Sequence, residues 1–362
     1  MPQFFFISIV TSFYNAENFI NNYKKTILEQ DFSKSFEIIM IDDNSTDESV
    51  KKIKKSNLKN LRIFSFRKNC GPAKGRNFGI KKAKGDYIFF LDIDDTIEKN
   101  TLTTLYNNAV SNKANFIFCD SKWIENSENQ RKGIYSYSKD RTIDGAEITK
   151  VMINRLYNPR KNPGILSAKG RLIKRSLLLS KKIFFEERLR YLEDEIFNWD
   201  VLANVKKIQY VREQLYCYHT HPGTSSGINT SIRFMLNISK FKIIKKHIEN
   251  SLIARKVSII KAKKIGSQAL IFFIINLLIS NSKSMFQKKI NYKLGKINQK
   301  KIINMILESK EIEKAITEYS ILDGENPLIP KAILFKKKKI LYQESHKRAK
   351  EILYLRRKKM YV

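Results

Sequence analysis

The stretch Asp92-Ile93-Asp94-Asp95 sets three carboxylates within four residues, directly after the apolar run DYIFFLD. Carboxylates that close repel one another, and a cation relieves the repulsion. A divalent metal does so. Mg²⁺ takes one or two carboxylates together with substrate phosphates, and Mn²⁺ suits the same oxygen ligands. If the strand runs on through the motif, side-chain alternation puts Asp92 and Asp94 on one side. A helix cap by Asp95-Thr96 is the plainer use of the same residues. A second acid pair, Asp42-Asp43, closes the run FEIIMID and opens Asn44-Ser45-Thr46-Asp47. An acid there can accept from a base or a ribose, or it can join Ser45 or Thr46 in a turn and helix cap. The segment from Asn69 to Gly79 is glycine-rich and carries Lys74 and Arg76. It suits a pyrophosphate or a base edge, and equally an ordinary loop entering a helix. It lacks the G-x-x-x-x-G-K-[ST] pattern of a P-loop. Glu193-Asp194-Glu195 offers either a general base or simple helix-start charge. His219 and His221, two apart on a strand, share a face, as ligand contacts or as a structural pair.

Such groups need elements to hold them. Over residues 1–125, strand signals at 4–13, 36–42, 61–66, 86–92 and 115–120 alternate with helical spacing at 17–30, 71–84 and 100–111. Alternation of this kind predicts βαβ units and a mostly parallel sheet, in which ligands bind beyond the carboxyl ends of the strands. Those ends present Ser12, Phe13 and Tyr14, then Asp42-Asp43, then Asp92 to Asp95. Three strand ends thus converge on one crevice. From 126 to 230 the pattern is mixed: a Pro/Gly loop at 157–166, a helix at 171–182, an amphipathic helix at 191–202, and a strand then a loop at 215–226. Beyond 231, helices with Ile/Leu stripes and Lys-rich faces dominate. The expected regions are 1–125, 126–230 and 231–362.

The chain has 362 residues, 42% of them hydrophobic, and a net charge of +34. That apolar content excludes disorder over most of the length. Cys70, Cys119 and Cys217 lie far apart, which argues against a disulfide framework or a cysteine zinc site and for a reducing compartment. The opening MPQFFFISIV reads as a buried strand, because no basic region precedes its apolar run. The run from Ala269 to Ser280 is too short for the hydrocarbon core of a bilayer, so no segment is expected to cross one alone. Residues 231–362 hold 31 basic and 9 acidic side chains. This excess is either a solvated face or a surface for anionic lipid or an anionic acceptor.

Taken in order, S-F-Y-N-A-E (12–17), I-D-D-N-S-T-D (41–47), N-C-G-P-A-K-G-R-N-F-G (69–79) and F-L-D-I-D-D (90–95) resemble the family 2 glycosyltransferases. Farther on, K-G-R-L-I-K-R-S (169–176), L-E-D-E-I-F (192–197) and L-Y-C-Y-H-T-H (215–221) look like the acceptor side of bacterial members. The resemblance covers residues 3–226. Ser12 stands where the family usually has proline. The resemblance implies a GT-A fold: a Rossmann-like mixed, mostly parallel sheet flanked by helices, here followed by a C-terminal helical region. It implies that Ser12 and Tyr14 cradle the nucleobase, Asp43 accepts from its ring, and Arg76 lies along the nucleotide. Asp92 would face ribose or metal, Asp94 would bind Mn²⁺ or Mg²⁺, and Asp194 would be the general base. Lys169, Glu193, His219 and His221 would contact the diphosphate or the acceptor. The activity implied is inverting transfer from a nucleotide sugar, with UDP as the expected nucleotide. The acceptor would be a glycan, free or lipid-linked, for capsule, lipopolysaccharide or another surface polysaccharide. The expected place is the cytoplasm, at the inner membrane face.

Two other classes compete. Asp92-Ile93-Asp94-Asp95-Thr96 also resembles the D-x-D-x-T of haloacid-dehalogenase-like phosphatases, but that motif belongs near an N-terminus, and here a complete strand–helix–strand system precedes it. The charge of +34 invites a nucleic-acid partner, yet no helix-turn-helix, ribonucleoprotein-type aromatic motif or zinc finger is present, so none is expected.

Overall fold

The computed structural model describes residues 4–124, 130–131, 136–157, 169–189, 192–219, 240–287, 291–322 and 325–357. The chain divides into two compact units, residues 1–150 with 163–220, and residues 151–162 with 221–362.

The first unit holds a ten-stranded mixed sheet in the order β3-β2-β1-β4-β9-β6-β10-β5, with β7 beside β6 and β8 beside β10. Strands β1 (Ile7–Phe13), β2 (Phe36–Asp42), β3 (Leu61–Ser65) and β4 (Tyr87–Phe90) run parallel. So do β6 (Phe116–Ile124) and β10 (Lys207–His219). Strands β5 (Thr96–Ile97), β7 (Gln130–Arg131), β8 (Arg141–Asp144) and β9 (Arg171–Lys174) pair antiparallel. All four residues of β4 are buried, as are six of the seven in β1. Continuous apolar runs mark strands covered on both faces. Between them run α1 (Ile20–Leu28), α2 (Ser49–Lys54), α3 (Pro72–Lys82) and α4 (Thr101–Ser111), then α5 (Gly145–Tyr157), which starts in this unit and continues past its boundary at residue 150, and α6 (Arg175–Ser180) and α7 (Glu193–Asn204).

Three expectations need correction. Residues 171–174 form β9, inserted between β4 and β6, and the helix begins only at Arg175. Leu172 and Ile173 are both fully buried, and a short run apolar on both faces carries no periodicity that separates strand from helix. The strand before the acid cluster ends at Phe90, so Asp92 to Asp95 form a turn closed by Asp95 N–H donating to the Asp92 carbonyl. Strand alternation therefore does not set their directions. Ser45 and Thr46 do not cap α2. Ser45 Oγ accepts from Asn15 N–H at 2.9 Å, and Thr46 N–H donates to Asn15 Oδ1 at 2.8 Å, which stitches the loops after β1 and β2 together.

The second unit is helical: α8 (Phe241–Ala254), α9 (Ile259–Phe286), α10 (Tyr292–Glu308), α11 (Lys310–Thr317), α12 (Leu328–Leu334) and α13 (Lys338–Arg357). The apolar run at 269–280 lies in the middle of α9. That helix has 28 residues and is long and apolar enough to cross a membrane by length and composition, contrary to the reading of the run alone. About two-thirds of its most apolar stretch is buried inside the protein. Two of its buried polar residues find partners there: Gln268 exchanges hydrogen bonds with the Ser320 backbone, and Asn281 donates to Gln299.

Candidate active site

The site is built on the turn after β4. Asp92 is caught between two cations, Lys169 Nζ at 2.7 Å and Arg76 at 3.1 Å. Burial alone would raise its pKa, but the charges of Lys169 and then Arg76 outweigh it and hold the carboxyl far below its usual range. Asp95 points inward. It accepts from Tyr216 Oη at 2.6 Å, from His219 N–H at 3.0 Å and from Lys169 at 3.3 Å. Burial pushes its pKa up to about 7; Lys169 opposes that shift, while Asp92 and Asp94 add to it. Asp94 is half-buried on the same turn. One oxygen each from Asp92, Asp94 and Asp95 lie within 4.8 Å of one another.

Arg76 carries the network across to the other side. It sits on α3, 9% exposed, and reaches Glu193 at 3.4 Å as well as Asp92. Glu193 opens α7 and faces Arg76. Its burial, with Asp194 beside it, raises its pKa against the pull of Arg76. Asp194 is half-buried, and one of its oxygens accepts from Glu195 N–H at 2.8 Å. The helix begins after Leu192 in a left-handed conformation (φ 65°), a sharp turn that brings the acids in at the helix N-terminus, where the dipole favours carboxylates.

The helix carrying Arg76 lies directly on β1. A Cβ at Gly75 would meet Ser12 Oγ at 2.1 Å, and one at Gly79 would meet Val10 Cγ1 at 2.2 Å. These glycines allow close packing. Asp43 fixes the start of α3 by accepting from Cys70 N–H at 2.7 Å and Gly71 N–H at 2.8 Å. Ser12 thus lies under α3, and Tyr14 stands half exposed on the loop after β1. Ser12, Tyr14 and Asp43 form a group at the ends of β1 and β2, tied through α3 to the acid network. His219 Nε2 lies 2.9 Å from Thr96 Oγ1. His221 is outside the described residues.

Two members escaped the sequence reading. Tyr216 Oη donates to Asp95 and accepts from Asp92 N–H at 3.3 Å, and Tyr218 lies under the Lys169 ammonium at 4.5 Å. Their alternation in Leu215-Tyr216-Cys217-Tyr218 was the available signal. Around this turn, five carboxyl groups (Asp92, Asp94, Asp95, Glu193, Asp194) face two fixed cations. That surplus, and an all-oxygen donor set, fit a hard divalent cation. Asp95 is committed inward and the two oxygens of Asp92 face Arg76 and Lys169; Asp92 and Asp94 are the residues of this turn that could hold such an ion.

Residues 8–179 match the sequence model of Glycosyl transferase family 2. The poly(ribitol-phosphate) β-N-acetylglucosaminyltransferase TarS of Staphylococcus aureus is 26% identical over 216 residues, 59% of this chain and 35% of that protein. The poly(ribitol-phosphate) β-glucosyltransferase of Bacillus spizizenii is 30% identical over 216 residues, 59% of this chain and 32% of that protein. The chain therefore spans about a third of the length of these relatives. The crystal structure of S. aureus TarS residues 1–349 in complex with UDP-GlcNAc overlays with a TM-score of 0.68 at 20% identity, covering 96% of this chain and 92% of that one. The fold is GT-A followed by a helical region. The family match thus spans residues 8–179, and the chain is similar to bacterial enzymes named for sugar transfer to poly(ribitol-phosphate).

Proposed function

We propose that this protein is an inverting glycosyltransferase. It moves a sugar from a nucleotide sugar, with UDP as the nucleotide, to a hydroxyl of a glycan acceptor in building a bacterial surface polysaccharide. The acid surplus around Arg76 and Lys169 at the strand ends is the observation that carries this reading, and relatives named for sugar transfer to poly(ribitol-phosphate) support the acceptor class. Asp92 and Asp94 would hold Mn²⁺ or Mg²⁺, which supplies charge stabilisation to a leaving diphosphate. Lys169 and Arg76 orient Asp92 and add positive charge on the same side. Ser12, Tyr14 and Asp43 receive the nucleobase. Asp194 takes the proton of the acceptor hydroxyl as that oxygen attacks the sugar carbon from the face opposite the leaving group. One such displacement inverts the anomeric centre. The work place is the inner face of the cytoplasmic membrane, where a lipid-linked acceptor is presented. The test is a donor panel: each nucleotide sugar is incubated with protein and Mn²⁺, and released nucleoside diphosphate is recorded. Slow hydrolysis confined to UDP sugars supports the reading; release from no donor overturns it.

A further inference from the structure

The hairpin between α8 and α9 combines exposed isoleucine with a positive excess, in which Glu249 faces Lys263. Ile260 is 85% exposed, Ile259 57% and Ile253 40%. Between residues 250 and 264 stand Arg255, Lys256, Lys261, Lys263 and Lys264, with no acid. Lys256, Lys261, Lys263 and Lys264 are exposed. The tip is firmly built. Lys256 takes a left-handed conformation (φ 63°) while its N–H donates to the Ile253 carbonyl and that of Val257 donates to the Leu252 carbonyl, a Schellman closure of α8. Ser258 then caps α9, accepting from Lys261 N–H. Ile259 and Ile260 are therefore the first two residues of α9. Lys263 and Lys264 follow one turn later on the same side.

We propose that this hairpin is a membrane anchor that inserts Ile259 and Ile260 into an anionic bilayer while the lysines meet lipid headgroups. The inference rests on the membrane-face placement proposed above. The apolar run at 269–280 does not serve this purpose, because nine of its twelve residues are buried within the helical unit. Charge alone would suit a soluble anionic polymer as well. Two adjacent exposed isoleucines at the tip favour a lipid surface, since a hydrated polymer offers them no apolar medium. Each near-surface lysine strengthens attraction to anionic lipid about fivefold, and salt screens it.

The experiment is co-sedimentation of the full chain with vesicles of phosphatidylglycerol and phosphatidylcholine, against phosphatidylcholine alone, at low and high salt. Two variants are compared: Ile259→Ser with Ile260→Ser, and Lys256→Gln with Lys261→Gln, Lys263→Gln and Lys264→Gln. All six positions are exposed, so both variants keep the fold, which donor hydrolysis by the same preparations verifies. The expected result is salt-sensitive binding to the anionic vesicles, lowered about tenfold or more by each variant. Failure of the wild-type chain to bind at low salt overturns the proposal. So does a serine pair that binds as well as wild type, or equal serine-insensitive capture by soluble polyphosphate. Vesicle binding without hydrolysis of any donor would defeat the glycosyltransferase reading and leave the anchor standing.

Discussion

Replacing Lys169 by Met removes the ammonium that joins two acids while keeping a stem of similar length. Its side chain is 19% exposed and lies 2.7 Å from Asp92 and 3.3 Å from Asp95. Removing one member of a buried pair costs about 3–5 kcal/mol. Arg76 still pairs Asp92 at 3.1 Å, so the lower end, about 3 kcal/mol, applies. At roughly 2–4 °C per kcal/mol for a unit of this size, the melting temperature of the first unit falls by about 6–12 °C at pH 8. The loss depends on pH. Asp95 has its folded pKa raised to about 7, so on acidification it takes up a proton in the folded protein before it does in the unfolded chain. Between about pH 4 and 7 this acid therefore makes the fold less stable as pH rises, and Lys169 offsets that by favouring its ionised form. With Asp95 already neutral at pH 5.5, the ammonium matters less, and Lys169→Met costs less there than at pH 8. Asp92, held low, behaves oppositely: its contribution is lost only as pH falls below about 4. Circular dichroism melts of both proteins at pH 5.5 and 8 test this. An unchanged melting temperature at pH 8, or equal losses at both pH values, would refute the charge network as drawn.

Asp194→Asn is expected to leave UDP binding, measured by calorimetry, nearly intact while transfer to acceptor falls by about 10²–10⁴; loss of nucleotide binding would make Asp194 a donor or folding residue. Gly79→Ala gains up to about 1 kcal/mol of helix propensity but sets a Cβ 2.2 Å from Val10 Cγ1 in the core. Overpacking of this kind costs about 1–3 kcal/mol, so the urea midpoint falls; a rise would mean that α3 moves off β1 freely. Asp43→Ala removes the acceptor of the Cys70 and Gly71 N–H groups, which frees the start of α3, and UDP affinity is expected to drop by about tenfold or more.

Much of residues 1–125 was legible because its signals are local. The runs ISIVTSF, FEIIMID and YIFF are buried strands, and the acids follow two of them within a few residues. What the sequence hid depends on contacts far apart in the chain. Tyr216 meets Asp95 across 121 residues, and Arg76 meets Glu193 across 117. No spacing rule connects such pairs. The glycines of 69–79 looked suited to phosphate, yet Gly75 and Gly79 sit four apart because one face of α3 packs on Ser12 and Val10. Residues 171–174 defeated pattern reading because a four-residue strand covered on both faces has no period. Helix α9 was underestimated because buried Ser267, Gln268, Asn281 and Ser282 look like solvent-facing breaks until their partners are seen.

Sugar transfer at the acid turn after β4 stands or falls on turnover of a UDP sugar by wild type and Asp94→Asn, with Mn²⁺ and with excess chelator. Wild type is expected to release UDP with Mn²⁺, and turnover to fall by about 10² or more on chelation or in Asp94→Asn, in line with losing a principal charge stabiliser. Full turnover in Asp94→Asn, with thermal stability unchanged, would contradict it.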